Sequence, residues 1–381
     1  MMRSWTFAVC ALMVFACSSD VTESATTPIL AVQQEMRIGS VDDRDYVLTY
    51  VGKIEVGQDG TMYVQQPMQQ TIKVYDSAGT YVRRIGRMGG GPGEFMSMFF
   101  MGWVGDTLWV YDGASSRISQ FNQAGEFINS LRFPGPGQAL LLGDGSLLLS
   151  PQVKRPAKKP LLRFQPGSGQ TDTIATVVPP PQAMRVTEGP VRYSTAWHPF
   201  NDESLWAVSP DGSFIIIVDR MARSASDSAW YSVTRLSSLA DTTWCREYQY
   251  RPRAITEDVI TAVVGPAVEQ QNAQRSTRGR PQVSLAAVSA ALYRPDALPP
   301  VTGLIIGNDH SIWLRQEDPG DSLVSWNVLD GDGGLVGVLE LPRTTMIRRA
   351  TLVRIWAVEH DEFDVPYVTR YRISTGDREL M

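Results

Sequence analysis

A chain of 381 residues with 43% hydrophobic and 20% charged residues can bury a substantial core, either as two average domains or as one long all-β unit. Its formal charge of −5 argues against a nucleic-acid partner, because a phosphate backbone is met by a basic stripe and the basic residues here are scattered. The densest basic runs, Lys154-Arg155 with Lys158-Lys159 and Arg275 to Arg280, sit among Pro, Gly and Ser and read as solvated loops.

The chain opens with a single charge, Arg3, followed by an apolar run from Trp5 to Phe15 and then Ala16-Cys17. A basic start, a short apolar run and a small residue before the cut describe a secretion signal, and the run is too short to span a bilayer as a helix. Val14-Phe15-Ala16-Cys17 resembles a bacterial lipobox, which implies a signal peptide over 1–16 and lipidation of Cys17 as the new N-terminus. Ser18 in place of Asp after the Cys favours the outer membrane of the cell envelope. Residues 17–31 are small, polar and aperiodic, the composition of a flexible tether. With Cys17 acylated, Cys245 is expected to be unpaired, with no intrachain disulfide.

Beyond the tether, two stretches repeat each other at a constant offset of 46 residues. Met62-Tyr63-Val64 falls on Leu108-Trp109-Val110, Ile72 to Asp76 on Ile118 to Asn122, Gly79 on Gly125, and Tyr81-Val82 on Phe127-Ile128. A period in the forties built from short β-rich runs and Gly turns predicts four-stranded propeller blades. The first hairpin turn of each blade is expected at Asp59-Gly60, Gly105-Asp106, Asp144-Gly145, Asp211-Gly212, Asn308-Asp309 and Leu352-Val353. Six such turns predict an all-β, six-bladed β-propeller over 32–374, with a polar tail over 375–381. The last blade is one strand short, so Gln33 to Ile38 is expected to complete it and close the ring.

Two segments exceed the blade period. Pro151 to Pro199, with Pro179-Pro180-Pro181, reads as an extended excursion. Residues 252–298 read as a helical insertion between blades four and five: Thr256 caps a helix that opens with Glu257-Asp258 and runs to about Gln274, and a second helix spans Val283 to Leu292. This insertion either decorates one end of the propeller or forms a lid across the axis.

Gly57 to Val64, Thr71 to Asp76, Gly79, Arg84-Ile85-Gly86 and Gly89 through Phe95 resemble the NHL repeat. With the lipobox, the whole chain resembles the six-bladed β-propeller lipoproteins of the bacterial envelope. That resemblance implies a lipid-anchored module that meets a protein, small-molecule or carbohydrate ligand at one end of the axis. The alternative it implies is a hydrolase or lyase with a metal on the axis.

The candidate motifs carry little chemistry. Gly89-Gly90-Gly91-Pro92-Gly93 is followed by Glu94-Phe95 and not by the Lys-Ser or Lys-Thr of a P-loop, so it reads as an inter-blade link. Asp330-Gly-Asp-Gly-Gly334 resembles the start of a calcium loop, but Leu335 to Val338 supplies no further oxygen ligands, and a hairpin turn fits better. His198, His310 and His360 lack the tight spacing of a zinc site. Trp103, Trp109, Trp206, Trp313 and Trp356 lie in alternating strand patterns and read as packing between blades. No catalytic, cofactor-binding or metal-binding set is assigned, and Cys17 is the one candidate site residue.

Overall fold

Short runs rich in Val, Ile, Leu, Tyr and Trp, each ended by a turn residue, fold into a succession of antiparallel sheets. The computed structural model describes residues 27–133, 137–152, 157–189, 191–225, 228–316 and 321–375. The expected signal peptide, most of the tether with Cys17, and the tail beyond Thr375 lie outside these residues.

The chain begins with a long strand, β1 (Ile29–Ile38). Blade one follows as β2 (Ile54–Val56), β3 (Met62–Gln66), β4 (Thr71–Tyr75) and β5 (Tyr81–Ile85). Blade two is β6 (Met98–Val104), β7 (Thr107–Asp112), β8 (Arg117–Phe121) and β9 (Phe127–Arg132). Blade three is β10 (Gly137–Leu141), β11 (Leu147–Pro151), β12 (Lys159–Phe164) and β13 (Thr171–Val177). A separate hairpin, β14 (Met184–Glu188) and β15 (Val191–Thr195), precedes blade four, which is β16 (Leu205–Val208), β17 (Phe214–Ala225), β18 (Ser228–Ser237) and β19 (Thr242–Tyr250). Helices α1 (Glu257–Thr277) and α2 (Leu285–Ala291) come next. Blade five is β20 (Gly303–Ile306), β21 (Ile312–Gln316), β22 (Leu323–Leu329) and β23 (Leu335–Pro342). The chain then supplies three strands of blade six: β24 (Met346–Ala350), β25 (Arg354–His360) and β26 (Pro366–Thr375).

All six expected turns join the first two strands of a blade. At Asp59-Gly60 the Asp59 carboxylate accepts the Thr61 N–H at 3.0 Å and the Thr61 hydroxyl at 2.7 Å, while Gly60 takes φ +82°, a conformation that side chains rarely adopt. The first strands are the inner ones, since β16 lies beside β20, β20 beside β24, β24 beside β2, β2 beside β6, and β6 beside β10.

Six apolar clusters join the blades in order around the ring. Tyr63 and Ile72 of blade one meet Met101 and Leu108 of blade two, and Trp109 meets Leu147 of blade three. Leu148 meets Ile215 of blade four, Phe214 meets Ile312 of blade five, and Trp313 meets Ile355 of blade six. The circle closes where Trp356 and Val368 meet Ile54 and Met62 of blade one. Both faces of a middle strand are therefore buried, which is why all five residues of β3 and of β4 are buried, the polar Gln65, Thr71 and Lys73 included.

β1 is the outer strand of blade six. It pairs antiparallel with β26 from Leu30↔Thr375 to Ile38↔Val368, so the expected closure by an N-terminal strand is present. The strand starts earlier than expected, inside the stretch read as tether, because Ile29 and Leu30 also pair in parallel with Val338 and Leu339 of β23. Leu30 is 8% exposed and belongs to the core between blades five and six.

The excursion at Pro151 to Pro199 needs correction. It holds β12 and β13, the outer half of blade three, before the β14–β15 hairpin. A register shift at Leu161/Leu162 and the polar outer residues Thr171-Asp172-Thr173 break the alternation that would have marked these strands. The helical insertion forms as expected, with Thr256 Oγ1 accepting the Val259 N–H at 3.3 Å and α1 continuing to Thr277. Cys245, on β19, is disulfide-bonded and not the unpaired thiol expected. Acylation would take Cys17 out of pairing, but a thiol that stays unacylated can oxidise to a disulfide.

The closing strand carries its own electrostatic lock. A bulge between Gln34 and Met36 leaves Glu35 out of the ladder. Its carboxylate accepts from Arg354 Nε at 2.8 Å, Arg370 Nε at 3.0 Å and Arg372 Nε at 2.9 Å. These bonds, with Arg354 foremost, hold the Glu35 pKa at about 2, against an ordinary 4.5. A depressed carboxylate pKa stabilises the fold fully above pH 4.5 and loses that contribution as pH falls towards 2. Glu35→Gln should therefore cost about 1–3 kcal/mol at neutral pH after allowance for solvent screening. In urea titrations at pH 7, 4 and 2.5, the gap between parent and variant should shrink as pH falls.

Candidate functional site

The blade topology places two kinds of connection at opposite ends of the axis. Turns between first and second strands share one end. The links from each outer strand to the next inner strand share the other, where every inner strand begins. Two of those links are long: residues 178–204 lead into β16, and residues 251–302 lead into β20. They pack on each other through Met184, Val186 and Val191 of the hairpin against Ile260, Val264 and Val288 of the helices. The Ser284 N–H also donates to Glu188 Oε2 at 2.8 Å. Arg220 of β17, buried in blade four, roots both links by donating to the Glu203 carbonyl at 2.6 Å and the Val301 carbonyl at 2.7 Å.

At the same end stands a group of charges carried by the inner strands of blades one and six. Glu55, in the middle of β2, is 4% exposed and ion-paired with Arg349 of β24, itself 8% exposed. Burial drives the Glu55 pKa up and the Arg349 pKa down, while each charge holds the other ionised. Lys53, just before β2, shares the alternation of Glu55 but is open to solvent. Its ammonium lies 5.8 Å from the centre of the Phe100 ring on β6. The protein around it lowers its pKa by desolvation, Glu55 opposes that, and Arg348 and Arg349 add to it. Lys53 is thus exposed at the end where the inner strands begin, yet has protein of blades one, two and six around it.

Arg348 is the fourth member. The pairing of β24 with β25 slips between Ile347 and Arg349, so Arg348 is a bulge residue. A bulge re-aims a side chain, and here two consecutive arginines act on Lys53. Arg348 Nε is buried with no hydrogen-bond partner among the described residues, and a terminal nitrogen reaches only the Met346 sulfur at 3.9 Å. Burial lowers its pKa, and half-exposed Tyr50 beside it favours the charged form. Arg349 and Lys53 act on the Glu55 carboxylate, and Arg348 adds a third positive charge near Lys53.

The ligand expected at the axis from the sequence carried no assigned residues, and these four are new to it. The available signal was the alternation Lys53-Ile54-Glu55-Val56 and the pair Arg348-Arg349, charges inside otherwise apolar inner strands. The three histidines are dispersed. His198 Nε2 bonds the Gln182 carbonyl at 2.7 Å, His310 Nε2 bonds Asp211 Oδ2 at 3.1 Å between turns of blades four and five, and exposed His360 ends β25. Among the described residues no group of three or more His, Cys, Asp or Glu is placed to hold a metal ion. Asp330 closes the β22–β23 turn by accepting the Gly334 N–H at 2.7 Å, and Gly89 to Gly93 forms the inter-blade link, its carbonyls gripped by Arg117. The five tryptophans lie on strands at blade interfaces. Other concavities among the described residues include one of about 560 Å³ on blade one, lined by Arg44, Lys73, Arg84 and Arg87, a polar cleft of about 400 Å³ between blades four and five, lined by Gln249, Arg251, Gln316 and Asn327, and one of about 260 Å³ between the hairpin and α1, lined by Met184, Tyr193 and Trp197.

Comparison with known proteins agrees on the architecture. The DUF5128 family, described as a 6-bladed beta-propeller, matches residues 43–143. A candidate exported protein from Bacteroides fragilis is similar over 94% of this chain and 99% of its own, at 10% identity and a TM-score of 0.50. A DUF4221 member from Bacteroides vulgatus is similar over 91% of this chain and 99% of its own, at 12% identity and a TM-score of 0.50. Likeness at that identity speaks for the fold alone. No curated protein matches the chain.

The buried pair supplies a test of the site's construction. Arg349→Met should cost about 3–5 kcal/mol, because it strands the Glu55 carboxylate without its partner. Adding Glu55→Met to that variant should recover much of the loss. Chemical denaturation of the two variants checks this, and equal stability of the single and double variants would refute a working buried pair.

Proposed function

We propose that this protein is a lipid-anchored binding propeller of the cell envelope, which holds its ligand at the end of the axis where the inner strands begin. The observation that carries this reading is Lys53. It is a charged side chain kept open to solvent among the inner strands, at the end where both long links gather. A closed ring of six blades is a rigid frame for such a site, since every blade is packed on both sides.

The address rests on the N-terminal sequence. Arg3, the apolar run and Cys17 support export and acylation, and among the described residues no helix is long and apolar enough to cross a membrane. Several acyl chains on Cys17 would hold the domain at the membrane surface, each buried methylene adding about 0.8 kcal/mol. The chain has three cysteines and Cys10 leaves with the signal peptide, so acylation of Cys17 and an intrachain bridge to Cys245 are alternative fates of the processed chain, and the anchored reading takes the first. The lipid reading therefore predicts that Cys17→Ser moves the protein out of the membrane fraction while Cys245→Ser does not. Co-fractionation of Cys17→Ser with the parent would end the anchored reading.

The binding reading is tested by blocking the opening. A panel of neutral sugars, amino acids, carboxylates and phosphates is scored for saturable thermal stabilisation of the parent. Lys53→Trp, which fills the opening with an indole, should abolish every stabilisation found, whatever the ligand's charge. Stabilisation that survives the block would place the ligand elsewhere.

A further inference from the structure

We infer that the ligand of the axial opening presents an oxyanion, a carboxylate or phosphate group, held between the Lys53 ammonium and the Arg348 guanidinium. The inference rests on the reading of the axial end as the binding end and names the chemistry that end selects.

Charge balance inside the ring is the first argument. Lys53 and Arg349 act on one carboxylate, Glu55, which is taken up by Arg349, and Arg348 adds a further positive charge near Lys53. Lys53 and Arg348 have no acidic partner of their own among the described residues, while elsewhere the chain pairs its arginines readily, as with the three around Glu35. An unpaired cation in desolvated surroundings is costly, and an incoming anion offsets that cost.

Hydrogen-bond supply is the second. Arg348 Nε is a buried donor with nothing to donate to among the described residues. A guanidinium presents its N–H groups as a planar fork matched to two oxygens of one carboxylate or phosphate, and an ammonium adds a point charge. The bulge at Arg348 is the third. A regular β24 would turn alternate side chains to opposite faces, whereas the slip between Ile347 and Arg349 lets consecutive arginines act on one region. Arg349 holds the floor through Glu55, and Arg348 is left for a ligand.

The remaining walls suit a small polar anion better than a large apolar ligand. Phe100 offers an aromatic face beside Lys53, and Tyr50 stands near Arg348. The buried Glu55–Arg349 pair occupies the next position on the same face of β2, so the bound group would be met near its charged end.

The test uses the full chain and two probes, inorganic phosphate and succinate, at constant ionic strength, with binding measured by calorimetry and thermal shift. Either probe should bind saturably to the parent. The neutral pair Lys53→Met with Arg348→Met should weaken it by about a hundredfold or more, the size expected for two charge-assisted hydrogen bonds. Lys53→Arg, which keeps the charge, should retain binding, and Lys158→Met on the surface should bind as the parent does. Without probe, the neutral pair should melt no lower than the parent, which separates lost binding from lost folding. Stronger binding of phosphate than of succinate would assign the ligand's group as phosphate, and the reverse as carboxylate. Unchanged anion binding in the neutral pair would overturn the inference. So would a parent that binds neither probe, and if it still binds a neutral compound that Lys53→Trp excludes, axial binding stands and only its charge selectivity falls.

Discussion

The whole ring depends on one strand that is far in sequence from the sheet it joins. Blade six receives three strands from the C-terminal part of the chain and its fourth, β1, from the N-terminal part. Without β1, the outer edge of β26 would expose an unpaired ladder. β1 also reaches past its own blade, since Ile29 and Leu30 pair with β23 and so tie blade six to blade five. Because a closed ring has no free blade, this closure fixes where each inner strand stands, and with it the spacing of groups around the axis.

Glu35 shows how that closure is made specific in register. In a regular ladder its side chain would follow the alternation of β1, but the bulge lifts it out and three arginines from β25 and β26 converge on it. A slip of one residue would separate the carboxylate from all three. Glu35 and Arg348 are the same device in opposite use. Each is a charged residue at a bulge of blade six, but Glu35 is saturated with partners and holds the fold, while Arg348 is left short of them at the axis.

That contrast separates structural charge from functional charge in this molecule. Glu55 with Arg349, and Asp211 with His310, are paired and make sense as packing or bracing. Lys53 and Arg348 have no acidic partner of their own among the described residues, and residues of that kind are where a binding role is most economically sought.

The amino-acid sequence determined the blade count, the position of every first hairpin turn, the closure by an N-terminal strand and the helical insertion. These features are local: Asp-Gly turns, a 46-residue repeat and a capped helix are set by neighbours along the chain. The outer half of blade three escaped because its exposed strand Thr171–Val177 carries polar residues on both faces and the register slips at Leu161/Leu162. The axial site was illegible for a different reason. Lys53 and Arg348 are 295 positions apart and belong to neighbouring strands only once the ring has closed. Periodicity along one strand shows which face a residue takes, but which charges share an axis is a property of the closed ring, and the tertiary structure alone decided it.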